Sequence, residues 1–173
     1  PSLPERERIR RHQLLVQKFL AATAKADQII LAQYKERDWN DMVVIARGNQ
    51  LIQKINGVVF SELIDEQEGA RATSGVLALQ LHAGPLMVVE FKDIGLKPLV
   101  SEGSTALFNG KDLDGWTFSS DQLKGTWSAK DGVMVNAGRP IGYIRTMDDY
   151  TNYVLWLQVR HITPGNGLSL IHI

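Results

Sequence analysis

Asn-Gly and Asp-Gly steps punctuate this chain at Asn56-Gly57, Asn109-Gly110, Asp114-Gly115, Asp131-Gly132 and Asn166-Gly167. Both dipeptides favour positive φ, the backbone state that reverses a strand within two residues. The densest punctuation is the stretch from Leu107 to Trp116, where two such steps close on a tryptophan. An indole directly after a tight turn usually anchors a core. Short apolar runs bounded by these turns predict an all-β chain of antiparallel strands packed as a sandwich.

The runs themselves agree. Met42-Val43-Val44-Ile45-Ala46 is rich in β-branched residues, and the two runs flanking Asn56-Gly57 give the strongest hairpin signal. Ser61 to Thr73 is polar and reads as a loop. In the run from Val76 to Leu81, Val76, Ala78 and Gln80 share one face and Leu77, Leu79 and Leu81 the other. Leu86 to Phe91 follows, with Glu90 facing away from Phe91 into solvent. Lys97 to Ser104 has the composition of a linker. Tyr153 to Ile162 is a long strand in which Tyr153, Leu155, Leu157 and Val159 alternate with Val154, Trp156, Gln158 and Arg160. His161 falls on the apolar side and reads as buried structure. Ahead of the strands, Glu5 to about Ala24 has the apolar stripe of a helix, with Ile9, Val16, Phe19 and Leu20 on one face, and Asp27 to Tyr34 continues as a short helix or turn.

A length of 173 residues holds one domain or parts of two. Formal net charge is zero, so no basic excess points to nucleic acid. No apolar run reaches the roughly 18 residues of a membrane span. With no cysteine there is no disulfide, no thiolate nucleophile and no Cys-based zinc site.

Several segments together resemble the 3-keto-disaccharide hydrolase domain family, whose members have a concanavalin A-like lectin/glucanase fold. Asp38-Trp39-Asn40-Asp41, Ala46-Arg47-Gly48-Asn49, Ile55-Asn56-Gly57, Gly75 to His82 and Glu90 to Ile94 resemble the family's closing half. Phe108 to Trp116, Trp127 with Asp131-Gly132, Thr146 to Tyr153 and Gly165-Asn166-Gly167 resemble its opening half. The resemblance implies a concanavalin A-like jelly-roll β-sandwich, to which the apolar stripe adds an N-terminal helical segment at 1–37. A closing half at 38–97 precedes a linker at 98–104 and an opening half at 105–167. Two accounts fit this order: the end of one domain followed by the start of a tandem copy, or a permuted single domain. Each half alone leaves a sheet face and several edges uncovered. Residues 168–173 resemble translated adapter sequence, with ordinary strand sequence as the alternative.

The resemblance implies cleavage of a glycosidic bond in a sugar already oxidised at C3. The ketone acidifies the C2 proton, a base removes it, the C1 substituent is expelled and water adds back. This differs from paired-carboxylate glycoside hydrolysis. It needs a base, a stabiliser for the enolate oxygen and often a metal. His82, after the strand 76–81, matches a histidine that the family often carries and is the expected base; a histidine bonded to backbone at a strand end is the alternative. Gln80, Trp156, Gln158, Arg160 and Asn166 are the expected substrate contacts, with Trp156 the best stacking platform. Trp39, Trp116 and Trp127 read as core anchors. The family often has an acid where Gln158 stands, which favours a second reading as a non-catalytic carbohydrate-binding module; a structural repeat is the third. A divalent metal is implied by family analogy alone, since no His or acid spacing signals a site. The family is usually exported, which makes a secreted, periplasmic or cell-surface location the expectation. The sequence leaves the oligomeric state open.

Overall fold

The structure, a computed structural model, describes residues 28, 32–69, 71–81, 87–140, 142–163 and 170–172. The helix expected from Glu5 to about Ala24 lies outside the described residues. Of the short helix or turn expected from Asp27 to Tyr34, Gln28, Ala32 and Gln33 are helical and Tyr34 is not.

The rest is strand. Twelve strands are described: β1 (Asn40–Arg47), β2 (Gln50–Ile55), β3 (Val58–Ile64), β4 (Leu77–Leu81), β5 (Val89–Pro98), β6 (Thr105–Ala106), β7 (Trp116–Phe118), β8 (Trp127–Lys130), β9 (Val133–Asn136), β10 (Gly142–Thr146), β11 (Tyr153–His161) and β12 (Leu170–His172). A larger sheet runs β3-β2-β1-β11-β5-β9-β8, with β6 beside β5, and a smaller sheet runs β12-β4-β10-β7. Neighbouring strands are antiparallel.

Strands from residues 38–98 and from 105–172 interleave in both sheets. β11 lies between β1 and β5, and β4 lies between β10 and β12. Pairing of this kind covers edges that either segment alone would expose.

The turn chemistry explains the local reversals. Asn56 and Gly57 have φ of 47° and 85°, and Asp131 and Gly132 have 53° and 79°. Positive φ at both central residues is the two-residue hairpin geometry whose twist matches the flanking strands. The stretch 107–116 is closed by its own polar groups. Asn109 Oδ1 accepts from the Lys111 and Asp112 amides, Asp112 Oδ1 accepts from Asp114 N, and the Trp116 indole N–H donates to Leu107 O at 2.8 Å. The Asn109 amide beside the Asp112 carboxyl holds it below its ordinary range.

Between the sheets lies the core. Along β11, Tyr153, Leu155, Leu157 and Val159 are each 2% exposed or less. They meet Leu79 and Ile144 of the smaller sheet in one apolar cluster. Burial of each such side chain contributes about 1.5–3 kcal/mol. Trp116 and Trp127 are buried in this core. Trp127 stacks on Phe91 with ring centroids 5.9 Å apart. His161 is buried as expected from its place on the apolar side, and its Nδ1 and the Tyr34 hydroxyl are hydrogen-bonded.

Two boundaries differ from the sequence reading. β3 continues to Ile64, into the stretch read as a loop, because alternate pairing with β2 extends to Gln50 opposite Ile64. β5 runs through Pro98, because Lys97 and Pro98 pair with Val154 and Tyr153, so only 99–104 remains irregular.

Candidate functional site

Strand alternation gives each sheet an inner face on the core and an outer face turned away from it. The larger sheet's outer face is built in rows across β1, β11 and β5. Asp41, Gln158 and Lys92 form one row, since Gln158 stands opposite both of the others. Val43, Trp156 and Gly95 form the next. Ile45, Val154 and Lys97 form a third. On the other side of the first row, Arg160 stands opposite Glu90.

A bulge in β5 sets this pattern. Register shifts between Trp156 and Gln158, so Asp93 and Ile94 lie opposite Leu157. Asp93 takes φ of 52° there, a left-handed state that Asp tolerates. The extra residue keeps both Lys92 and Gly95 on the outer face.

Gly95 is where the Trp156 indole lies on the sheet. A Cβ at Gly95 would sit 2.3 Å from Trp156 Cζ2 and 2.5 Å from Cε2. Only glycine leaves room for the ring to rest on the backbone. The half-buried indole thereby presents a flat apolar floor in the middle of the face.

Polar groups surround that floor. The Gln158 amide donates to Asp41 Oδ1 at 2.8 Å. Arg160 donates to Glu90 Oε2 from Nε at 2.9 Å and from Nη2 at 2.6 Å. The pair is partly shielded, with side-chain exposures of 32% and 18%. Glu90 is therefore an ion-pair partner and not the free, solvated side chain read from the sequence. The alternation does turn it away from Phe91, but Arg160 lies directly across on β11.

Trp39 closes one end of the face. Lys92 Nζ lies 4.3 Å and Arg160 Cζ 4.5 Å from its ring centroid. Cations at this range are attracted by the indole's negative face. Trp39 is thus not the core anchor expected from sequence. It is half-buried on the outer surface because the segment before β1 is tied down beside it. Asn40, fully buried, donates from Nδ2 to Lys35 O and Asp38 O, and its Oδ1 accepts from Lys35 N and Asn56 Nδ2.

The expected site residues therefore separate. Trp156, Gln158 and Arg160 share this face. Gln80 does not: it stands opposite Tyr143 in the smaller sheet, while its neighbour Leu79 and the facing Ile144 are buried. Gln80 lies on the smaller sheet's outer face, on the far side of the core. His82 and Asn166 lie outside the described residues. Sequence reasoning missed Trp39, Asp41, Lys92 and Gly95 as members of one face. The available signals were the shared alternation of Glu90 and Lys92 and a glycine inside a strand, which marks close approach by another group.

Among the described residues no three His, Asp or Glu side chains gather to hold a metal ion, so these residues do not fit one and no step below passes through a metal. Among the described residues no helix is long and apolar enough to cross a membrane.

An aromatic floor ringed by amide, carboxylate and cationic groups suits a polyhydroxylated ring, which offers an apolar C–H face and equatorial hydroxyls. The sequence profile of the 3-keto-alpha-glucoside-1,2-lyase-like domain matches residues 20–97 and 103–173. The chain belongs to that family. Family membership points to action on glycosides, and the floor-and-rim face of β1, β11 and β5 has the chemistry to meet one. A comparison with curated proteins gives no match.

Proposed function

We propose that this chain's sandwich, of concanavalin A-like jelly-roll form, cleaves the glycosidic bond of sugars oxidised at C3, with the outer face of the larger sheet as the sugar-binding surface. The observation that carries this reading is the Trp156 indole lying on Gly95 beside Gln158, Asp41 and Lys92, in a chain of the 3-keto-lyase-like family. The indole takes one sugar face by stacking. Gln158, Lys92 and Arg160 supply donors for ring oxygens. The reaction is elimination across C1 and C2, made accessible by the C3 ketone, followed by addition of water. An exported location follows from the same family reading.

Gln158 favours a second reading. A neutral amide at the centre of the face suits a module that binds glycans without turning them over. The two readings separate in one assay. The chain is incubated with a 3-keto-α-glucoside, and release of the C1 substituent is followed. Release supports the lyase or hydrolase. Binding of an unoxidised glucoside with no release from the 3-keto form supports the binding module.

A further inference from the structure

We propose that Asp41 is the base that removes the C2 proton and that Lys92 holds the enolate oxygen, an assignment that rests on the 3-keto-glycoside reading above. Asp41, Gln158 and Lys92 occupy one row across three adjacent strands. The outer two stand two strand spacings apart, about 10 Å. That is the spacing of the backbones, and a pyranose ring lying over Gln158, between the two outer strands, is within reach of both side chains. The Trp156 floor lies one row along, about 7 Å away.

The carboxylates on the face are not equivalent. Glu90 receives two donors from Arg160 and is largely shielded. Glu62 is on β3, and its Oε1 takes the Gln50 amide. Asp41 is exposed and accepts from Gln158 at Oδ1, leaving Oδ2 without a described partner. The neutral amide at 158 is what permits this. A carboxylate there would repel Asp41, whereas Gln158 donates to it and fixes the plane of the carboxylate. Lys92 is complementary. Among the described residues no carboxylate pairs with its ammonium, which is held over Trp39.

The electrons balance without a co-reactant other than water. An Asp41 oxygen takes the C2 proton, and the C–H pair forms the C2–C3 double bond as the carbonyl pair moves onto oxygen beside Lys92. The C3 carbonyl then re-forms, C1–C2 becomes the double bond and the C1–O bond breaks with its pair on the leaving oxygen. The proton held by Asp41 passes to that oxygen. Water adds its hydroxyl to C1 and a proton to C2, giving a free 3-keto sugar and an alcohol.

The experiment compares the intact chain with Asp41→Asn, Lys92→Met and His82→Ala. One readout is release of the C1 substituent from a 3-keto-α-glucoside. A second is exchange of solvent deuterium into C2 of a 3-keto sugar lacking a C1 leaving group, which reads proton removal alone. Asp41→Asn keeps an oxygen to accept the Gln158 amide. The expected result is a fall in kcat and in exchange of at least about 10²-fold. KM should change little. Lys92→Met lowers both rates. Exchange at the parent rate in Asp41→Asn, or its loss in His82→Ala alone, overturns the assignment while leaving the function standing. A parent chain that neither exchanges nor releases overturns the function and the base together.

Discussion

The two outer faces of the sandwich carry similar kinds of residue and differ in how those residues are held. On the smaller sheet, Gln80 and Tyr143 stand opposite each other, as do Arg145 and Thr117. Among the described residues their side chains form no hydrogen bond or ion pair. On the larger sheet nearly every polar side chain in the central rows has a partner: Gln158 with Asp41, Arg160 with Glu90, and Lys92 and Arg160 with Trp39. Preorganised groups on rigid strands recognise a ligand without first losing rotamer freedom. A lone polar side chain on a sheet surface is ordinary solvation. The difference lies in cross-strand partnership and not in composition.

Changes on the two faces should therefore have unequal consequences. The largest effect is expected at Gly95. Gly95→Ala places a methyl 2.3 Å from the Trp156 ring, and the indole must lift from the sheet. Overpacking of this kind costs about 1–3 kcal/mol. Denaturant unfolding should register the loss, and tryptophan emission should shift as Trp156 becomes more exposed. An unchanged midpoint and spectrum would mean that the floor is not set by Gly95.

Next comes Glu90→Gln, which removes the charge that Arg160 holds. With both partners partly exposed, the expected cost is about 1 kcal/mol, near the lower end for a charged hydrogen bond. It should shrink at high salt. Trp39→Leu follows, with a loss of about 0.5–1 kcal/mol from the cation contacts, again read by unfolding. Gln80→Ala is the smallest. Its effect on stability should stay within about 0.5 kcal/mol, with no effect on sugar binding. A large loss of binding in Gln80→Ala, with Trp39→Leu silent, would reverse the comparison between the faces.

The core makes a separate, pH-dependent prediction. Burial pushes the Tyr153 hydroxyl well above its ordinary value of 10.0. Below that value the hydroxyl is neutral in both folded and unfolded chains, and its contribution is fully present. Above it the unfolded chain ionises first, so stability falls as pH rises, by up to about 1.4 kcal/mol per pH unit. Alkaline unfolding of Tyr153→Phe should lack that share of the slope.

The strands were legible because alternation and turn chemistry are local. Asn56-Gly57 and Asp131-Gly132 specify their hairpins within two residues. The buried face of β11 follows from spacing alone. The composition of the candidate site was only half legible. Trp156, Gln158 and Arg160 announce a shared face through their spacing in one strand. Their partners come from β1 and β5, and nothing local says that β11 lies between those two strands. That pairing brings Asp41 to Gln158 and Glu90 to Arg160. Trp39 was misplaced for a related reason. Its position depends on the buried amide of Asn40, which ties the preceding loop to the Asn56 turn. Gln80 has the right chemistry and alternation, but its strand belongs to the other sheet.

The most direct test of the central claim is an indole N–H chemical-shift titration of the intact chain with a 3-keto-α-glucoside. The four tryptophans divide in advance: Trp116 and Trp127 are buried in the core, whereas Trp39 and Trp156 lie on the larger sheet's outer face. The account predicts saturable shifts of the Trp156 resonance, with smaller shifts at Trp39 and none at Trp116 or Trp127. Shifts confined to backbone amides around Gln80 and Tyr143, with Trp156 unmoved, would place the sugar on the smaller sheet and contradict it.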